Sequence, residues 1–361
     1  MSDIQKHNDG CCTPLLISAD SNVSNSHPLA EINNAVYRLD AGELVAFPTE
    51  TVYGLGADAC NPQAVARIYA AKNRPTTHPI IVHLALGDDP GNWVRSMGLE
   101  AQRLIDAFWP GPLTLILKKA IAFTNAVSGD QDSIGLRCPS HPVAQALLRA
   151  FSDLRRGHGS IAAPSANKFG YVSPTTAQHV RDEFGDSVYL LDGGVCNIGI
   201  ESTIIDLSRG FPTLLRPGRI TPQQITDVLG VAPRLPDKND ITEPRPSGTL
   251  RAHYATRTPI VLLPLEKILN EVEMHASHNR LAVIARDSLP QADVLRMRPN
   301  LWFIIAPNDP YTYEYKLYGM LRRLDSLNIL RIFIELLPDT SEWIAVNDRL
   351  HRAEAAFKVG V

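Results

Sequence analysis

"FPTETVYGLGADA", residues 47–59, follows the short apolar run "LVA" (44–46), and its reading decides the N-terminal fold. A buried strand ends here, and the next positions hold Pro48, Thr49, Thr51, Tyr53, Gly54 and Gly56. A plain strand-to-helix turn needs about two to six residues and a single glycine. This stretch is longer and more polar than packing requires, which marks a loop that holds something. Gly54, Gly56 and Ala59 do fit the dinucleotide spacing G-x-G-x-x-A. The acidic residue expected about 20 positions later is absent, because "KNRPTTHPIIVH" (72–83) is basic, so a dinucleotide site is rejected. No G-x-x-x-x-G-K-[ST] loop occurs either.

Outward from this stretch, strand and helix patterns alternate. "NPQAVARIYAAK" (61–72) predicts a helix with Asn61 as N-cap and Pro62 at its first position. "PIIVHLA" (79–85), "LTLILK" (113–118), "SIGLRC" (133–138), "SIAAP" (160–164), "VYLLD" (188–192), "STIIDL" (202–207) and "TLLRP" (213–217) predict strands. "LEAQRLIDAFW" (99–109), "HPVAQALLRAF" (141–151) and "TPQQITDVLG" (221–230) have helical spacing. The expectation is a mixed α/β domain over 28–230. Residues 1–27 are polar and aperiodic and are expected to form a flexible tail. Residues 231–257, rich in proline and charge, read as a linker. Beyond them "PIVLLP", "RLAVIAR", "LWFIIAP" and "ILRIFIELL" alternate with helical stretches, which predicts a smaller parallel-sheet domain over 258–361.

Composition bounds the function. The chain has 361 residues, 44% hydrophobic and 20% charged, an ordinary globular profile with room for two cores. The net charge of -3 argues against a general nucleic-acid binder. No signal peptide or membrane span is read, and a cytoplasmic protein is expected. The five cysteines form no C-x-x-C pair, so reduced thiols are expected and a zinc site is not.

Several polar loops end strands of one sheet, where α/β ligand crevices lie. Lys72 and Arg74 close a helix; they either complement its dipole or clamp phosphate, lysine as a point charge and arginine as a fork. His78 and His83 flank a strand. In "GSIAAPSANKFGYVSPT" (159–175), Ser173 fits an N-cap before a helix-starting proline, whereas Ser165 and Asn167 have no capping role and suit a polar substrate loop. "GGVCNIGIESTIID" (193–206) sets Glu201, Ser202 and Thr203 at the entry to an apolar strand, and "LLRPG" (214–218) ends another strand in Arg216.

Taken in order, "FPTETVYGLG", "KNRP", "GLRCP", "APSAN", "GIESTIID" and "LLRPG" resemble the YrdC/Sua5 family of threonylcarbamoyl-AMP synthases over about 30–230. "SGTLRAHYA" and the ending "WIAVNDRLHRAEAA" resemble its longer, two-domain Sua5 branch. The resemblance implies a YrdC-like twisted mixed sheet with helices, plus a smaller Rossmann-like parallel-sheet C-terminal domain. It implies the reaction of L-threonine, bicarbonate (or CO2) and ATP to threonylcarbamoyl-AMP and pyrophosphate. A separate transferase would carry the group to adenosine 37 of tRNA.

By the same resemblance, threonine would meet Thr51, His83, Arg137, Ala163 and Ser202. ATP would meet Arg74, His78, Ser133, Ser165, Asn167, Ser173, Arg216, and His253 and Tyr254 of the linker, which would fold over it as a lid. Lys72 and Arg74 would act on the phosphates as the catalytic pair. Position 78 holds His where the family has Asn, position 133 holds Ser rather than Thr, and Thr256 replaces a proline after "HYA". Mg²⁺ would travel with ATP, without a dedicated metal cage, and no membrane or stable nucleic-acid binding is implied. An RNA-binding module of the same fold without adenylating activity is the rival reading. The carbamoyl-transfer machinery of hydrogenase maturation is a second, but it would need zinc-finger cysteine pairs that this chain lacks.

Overall fold

The structure is a computed structural model that describes residues 29–120, 126–236, 244, 246, 248–275, 279–286 and 300–358. The expected tail, 1–27, lies outside the described residues.

The opening stretch is a hairpin. Strand β1 (Val45–Phe47) turns back through residues 48–53 into β2 (Gly54–Asp58), pairing antiparallel with Phe47 opposite Gly54 and Val45 opposite Gly56. No strand was expected at 54–58, because glycine weakens strands. The packing explains it: a Cβ on Gly56 would stand 2.8 Å from both Ile161 and Phe47 side chains. Helix α1 (Leu29–Asp40) precedes the hairpin, and α2 (Pro62–Lys72) follows it. As the sequence predicts, Asn61 caps α2, its side chain accepting from the Gln63 and Ala64 amides.

The remaining elements of the N-terminal part are β3 (Val82–His83), α3 (Leu99–Phe108), β4 (Leu113–Lys118), β5 (Ser133–Arg137), α4 (Pro142–Leu154), β6 (Ile161–Ala162), α5 (Ala177–Phe184), β7 (Tyr189–Leu190), β8 (Thr203–Asp206), β9 (Thr213–Arg216) and α6 (Pro222–Leu229). Among the described residues, nine strands form one mixed sheet in the order β7-β1-β2-β6-β3-β5-β4-β8-β9. Side chains alternate between its faces. Ala46, Val82, Leu136 and Leu115 join a core with α2, α3, α5 and α6. Val45, Phe47 and Ile161 join a second core with α1 and α4. That alternation places the site: where Val82 and Leu136 face the first core, the next residues, His83 and Arg137, turn to the other face at the ends of two parallel-paired strands.

The C-terminal part holds β10 (Ile260–Leu263), α7 (Leu265–His275), β11 (Leu281–Arg286), β12 (Leu301–Ala306), α8 (Pro310–Asp325), β13 (Arg331–Glu335) and α9 (Ile344–Ala355). Among the described residues its sheet has four strands, all parallel, in the order β10-β13-β11-β12. Helices α8 and α9 cover the face turned to the N-terminal part, and their core takes in Val52, Val172, Ile198 and Ile200. Ion pairs cross the same boundary, Arg219 to Glu314 at 2.5 Å and Arg322 to Glu183 at 2.9 Å. Among the described residues no helix is long and apolar enough to cross a membrane.

Candidate functional site

The hairpin loop is fixed from within. Thr49 Oγ1 donates to the Val52 carbonyl at 2.7 Å and accepts from the Thr51 and Val52 amides, a local turn that sets both threonines inward. Arg137, at the end of β5, donates one guanidinium nitrogen to Glu50 Oε1 at 2.7 Å and to Thr51 Oγ1 at 2.9 Å. Its Nε is buried and has no partner among the described residues. His83 is buried beside it, and burial, with the Arg137 charge next, pushes the imidazole pKa down to about 3. The ring is therefore neutral, and its Nδ1 is also without a partner among the described residues. Ala163, held by its amide on the Ile81 carbonyl, lines the same cavity as His83 and Arg137.

Lys72 and Arg74 do not point into open space. Lys72, 1% exposed, donates its ammonium to the backbone carbonyls of Ser165 at 2.6 Å and of Asn167. Burial, with the Arg74 charge next, holds its pKa well below that of an ordinary lysine. Arg74 donates to the carbonyls of His78 and Pro79 and lies over the Phe169 ring at 5.4 Å. Burial lowers its pKa to about 10. These cations hold loops 75–79 and 165–169, the second of which carries Ser165 to the cavity wall. Asn167 braces that loop too, its amide nitrogen donating to the Lys168 and Tyr171 carbonyls, while its Oδ1 is buried without a partner among the described residues. His78 meets Phe169 edge-to-face at 5.2 Å, and Phe169 meets His253 at 6.2 Å, so one aromatic row joins loop 75–79 to the linker.

The third side comes from β8, β9 and the linker. Arg216 donates Nε to the Ser202 carbonyl at 3.0 Å and Nη2 to Ser202 Oγ at 3.1 Å, and Ser202 Oγ also shares a hydrogen bond with Thr114 Oγ1. Glu201 is buried between Ser173, whose hydroxyl donates to Oε1 at 2.5 Å, and Tyr318 and Arg349 on Oε2, both at 2.9 Å. Burial alone would raise its pKa; the Arg349 and Arg216 charges and the Ser173 bond bring it down to about 2. The expected N-cap role of Ser173 is a misreading. Helix α5 starts at Ala177 under Thr176, which accepts from the His179 amide, so the Ser173 hydroxyl is available to Glu201.

The linker is seated rather than loose where it is described. Tyr254, 1% exposed, adopts a left-handed φ of 60°, and Ala255 stands opposite Tyr171 in a bridge, its amide donating to the Gly170 carbonyl and its carbonyl accepting from the Val172 amide. Only a glycine fits at Gly248, where φ is +82° and a Cβ would stand 2.3 Å from the Tyr254 hydroxyl. His253 and Tyr254 thereby cap the cavity.

One cavity thus gathers His83, Arg137, Ala163, Ser165, Arg216, His253 and Tyr254. Thr51, Ser202 and Ser173 stand directly behind it, bonded to Arg137, Arg216 and Glu201. Ser133 is not brought there: it starts β5, opposite Lys118 of β4, at the far end from Arg137. Sequence reading missed Glu50, a carboxylate inside the quoted loop, and Arg349, whose only sequence signal is a charge within a helical pattern. Among the described residues no group of three or more His, Cys, Asp or Glu could hold a metal ion. The cavity's carboxylate, Glu201, is already saturated by Ser173, Tyr318 and Arg349, so these residues do not form a magnesium site of their own.

Comparison with known proteins follows the same two parts. Residues 38–218 match the Sua5/YciO/YrdC family, described as telomere recombination, and 220–355 match the threonylcarbamoyl-AMP synthase C-terminal domain. A threonylcarbamoyl-AMP synthase of Bacillus subtilis is 37% identical over 337 residues, 90% of this chain and 92% of that protein. One of Pyrococcus abyssi is 34% identical over 323 residues, 86% of this chain and 90% of that protein. The crystal structure of P. abyssi Sua5 complexed with L-threonine superposes with a TM-score of 0.78 at 32% identity, covering 90% of this chain and 94% of the other. With both parts matched and most of its length shared, the chain belongs to the Sua5/YciO/YrdC family in its two-domain form.

Proposed function

We propose that this enzyme is an L-threonylcarbamoyladenylate synthase, a nucleotidyltransferase that joins L-threonine, bicarbonate and ATP into threonylcarbamoyl-AMP with release of pyrophosphate. The observation that carries the reading is that one cavity brings the Arg137–Thr51–His83 group and the Arg216–Ser202 group together. Its relatives' names, and the threonine bound to P. abyssi Sua5, support the same conclusion.

In this reading the threonine amine attacks carbon dioxide, giving an N-carboxylate and a proton, or bicarbonate, giving the same N-carboxylate and water. A carboxylate oxygen then bonds to the α-phosphorus of ATP while the bond to pyrophosphate breaks. Arg137, on the cavity wall, would pair with the threonine carboxylate, and neutral His83 lines the same wall beside it. Arg216 supplies positive charge for the nucleotide, with Ser165 and Ser173 on the same side and Arg74 bracing loop 75–79, which carries His78. Lys72 serves the phosphates by fixing the Ser165 loop. The step needs positioning and charge more than an acid or nucleophile from the chain. His253 and Tyr254 keep water off the labile N-carboxylate. Magnesium is taken to arrive on the ATP phosphates. The product would pass, in the cytoplasm, to a separate tRNA transferase, and no stable nucleic-acid binding is part of this reading.

The deciding experiment measures pyrophosphate release from ATP with threonine and bicarbonate each left out in turn. Release that needs both supports the synthase. Folded protein that binds ATP yet releases none would favour the RNA-binding alternative.

A further inference from the structure

Glu201 is a carboxylate on the wall of a cavity that, on the reading above, receives a polyphosphate. Left alone, such a charge repels the ligand. Arg216 and Ser173 compensate part of it, and the largest compensating charge comes from the other half of the chain. Arg349 of α9, 1% exposed, donates Nε to Glu201 Oε2 at 2.9 Å and Nη2 to the Glu201 carbonyl at 3.3 Å. The same guanidinium lies 5.1 Å over the Tyr254 ring, a cation–π contact with the capping residue itself. Tyr318 of α8 donates to Glu201 Oε2 and stacks on Tyr254 at 5.9 Å. Through Glu201 the pair also fixes the Ser173 hydroxyl. Asp348 holds the guanidinium from its outer side, at 2.7 Å.

We propose that Arg349 is a positioning residue for the nucleotide half of the site: it cancels the Glu201 charge and seats Tyr254, so that the C-terminal domain completes the ATP site. The proposal rests on the reading of this cavity as the ATP site. It assigns the C-terminal domain a part in binding, beyond packing.

A charge role and a packing role differ in one respect. If Arg349 acts by neutralising Glu201, then removing both charges should do less harm than removing one. If it only fills space, the two losses should add. The test titrates ATP into full-length protein by calorimetry, for the natural chain, Arg349→Met, Arg349→Met with Glu201→Gln, and Arg349→Lys. Circular dichroism and thermal melting check that each variant is folded. Arg349→Met is expected to weaken ATP binding at least about tenfold, with threonine affinity changed less than about twofold. The double variant should recover a substantial part of the loss, and Arg349→Lys should fall between. Unchanged ATP affinity in Arg349→Met, or a double variant worse than the single one, overturns the proposal. Should Arg349→Met fail to fold, Arg349→Lys decides the question, with natural ATP affinity counting against it. Natural protein that binds ATP but releases no pyrophosphate sinks the reaction and leaves the arginine's role to the titration. Natural protein that does not bind ATP overturns both.

Discussion

Arg137 and Glu50, 5% and 6% exposed, meet at 2.7 Å, and the pair ties the β1–β2 hairpin loop, which carries Glu50, to the end of β5. The arginine is therefore already anchored before any substrate arrives. Glu50 also accepts from the Ser140 amide, so the ion pair ties the loop to the start of α4 as well as to β5. Removing the carboxylate leaves a buried guanidinium unanchored. Glu50→Gln is expected to raise the threonine KM at least about tenfold, through lost positioning, with a much smaller change in the ATP KM. Steady-state kinetics in each substrate measures this, and equal effects on both would count against the assignment of Arg137 to threonine.

Lys72 offers a sharper choice between two readings. As a phosphate clamp it would be silent in stability. As the donor to the Ser165 and Asn167 carbonyls it supports the fold as well. Lys72→Met keeps the stem's bulk and strands two buried acceptors, so a stability loss of about 2 kcal/mol is expected. Weaker ATP binding should accompany it, through the displaced Ser165 loop. Urea unfolding of natural and variant protein measures the first part, and coincident curves would return Lys72 to the phosphates.

The sequence made most of the architecture legible because periodicity is local. Strands such as 113–118 and 133–137 and the Asn61-capped helix were readable from their neighbours alone. β2 was not, because its glycines are chosen by Phe47 and Ile161 across the sheet. The site split the same way. Polar loops at strand ends announced Thr51, Ser165 and Arg216. Ser133 carried a hydroxyl in the right motif but sits at the far end of its strand. Arg349 looked like one more charge on an amphipathic helix, because its partner lies 148 residues away.

Gly199 tests how closely the two halves must approach. Its φ is +90°, and a Cβ there would stand 2.6 Å from the Glu314 carbonyl of α8. Gly210 shares the conformation, with φ +82°, but a Cβ there meets nothing within 4 Å. Gly210→Ala should cost only the backbone strain, about 1–2 kcal/mol. Gly199→Ala should cost about 2 kcal/mol more and weaken ATP binding as α8 is pushed away from Glu201. Chemical unfolding of both variants compares them directly. Equal losses would show that the boundary is loose enough to yield.

The buried histidines set the behaviour in acid. His83 and His253 both have folded pKa values near 3, against an ordinary 6.5, with burial as the first cause in each. Both are neutral in the folded protein, whereas the unfolded chain takes up protons as the pH falls through 6.5. Their contribution is thus fully present above pH 6.5 and is lost on the way down towards 3. Each removes about 1.4 kcal/mol per pH unit once the unfolded imidazole is charged. Glu201 adds to the loss only below 4.5, since its own folded pKa is about 2. Urea unfolding between pH 6.5 and 5 isolates the histidines, and His83→Asn should make the slope of stability against pH shallower by its share. Over pH 6–8 the His83 ring does not titrate, so the threonine KM should carry no histidine step. A step near pH 6.5 that disappears in His83→Asn would mean that His83 is protonated in the working enzyme, against the neutral ring assigned to it.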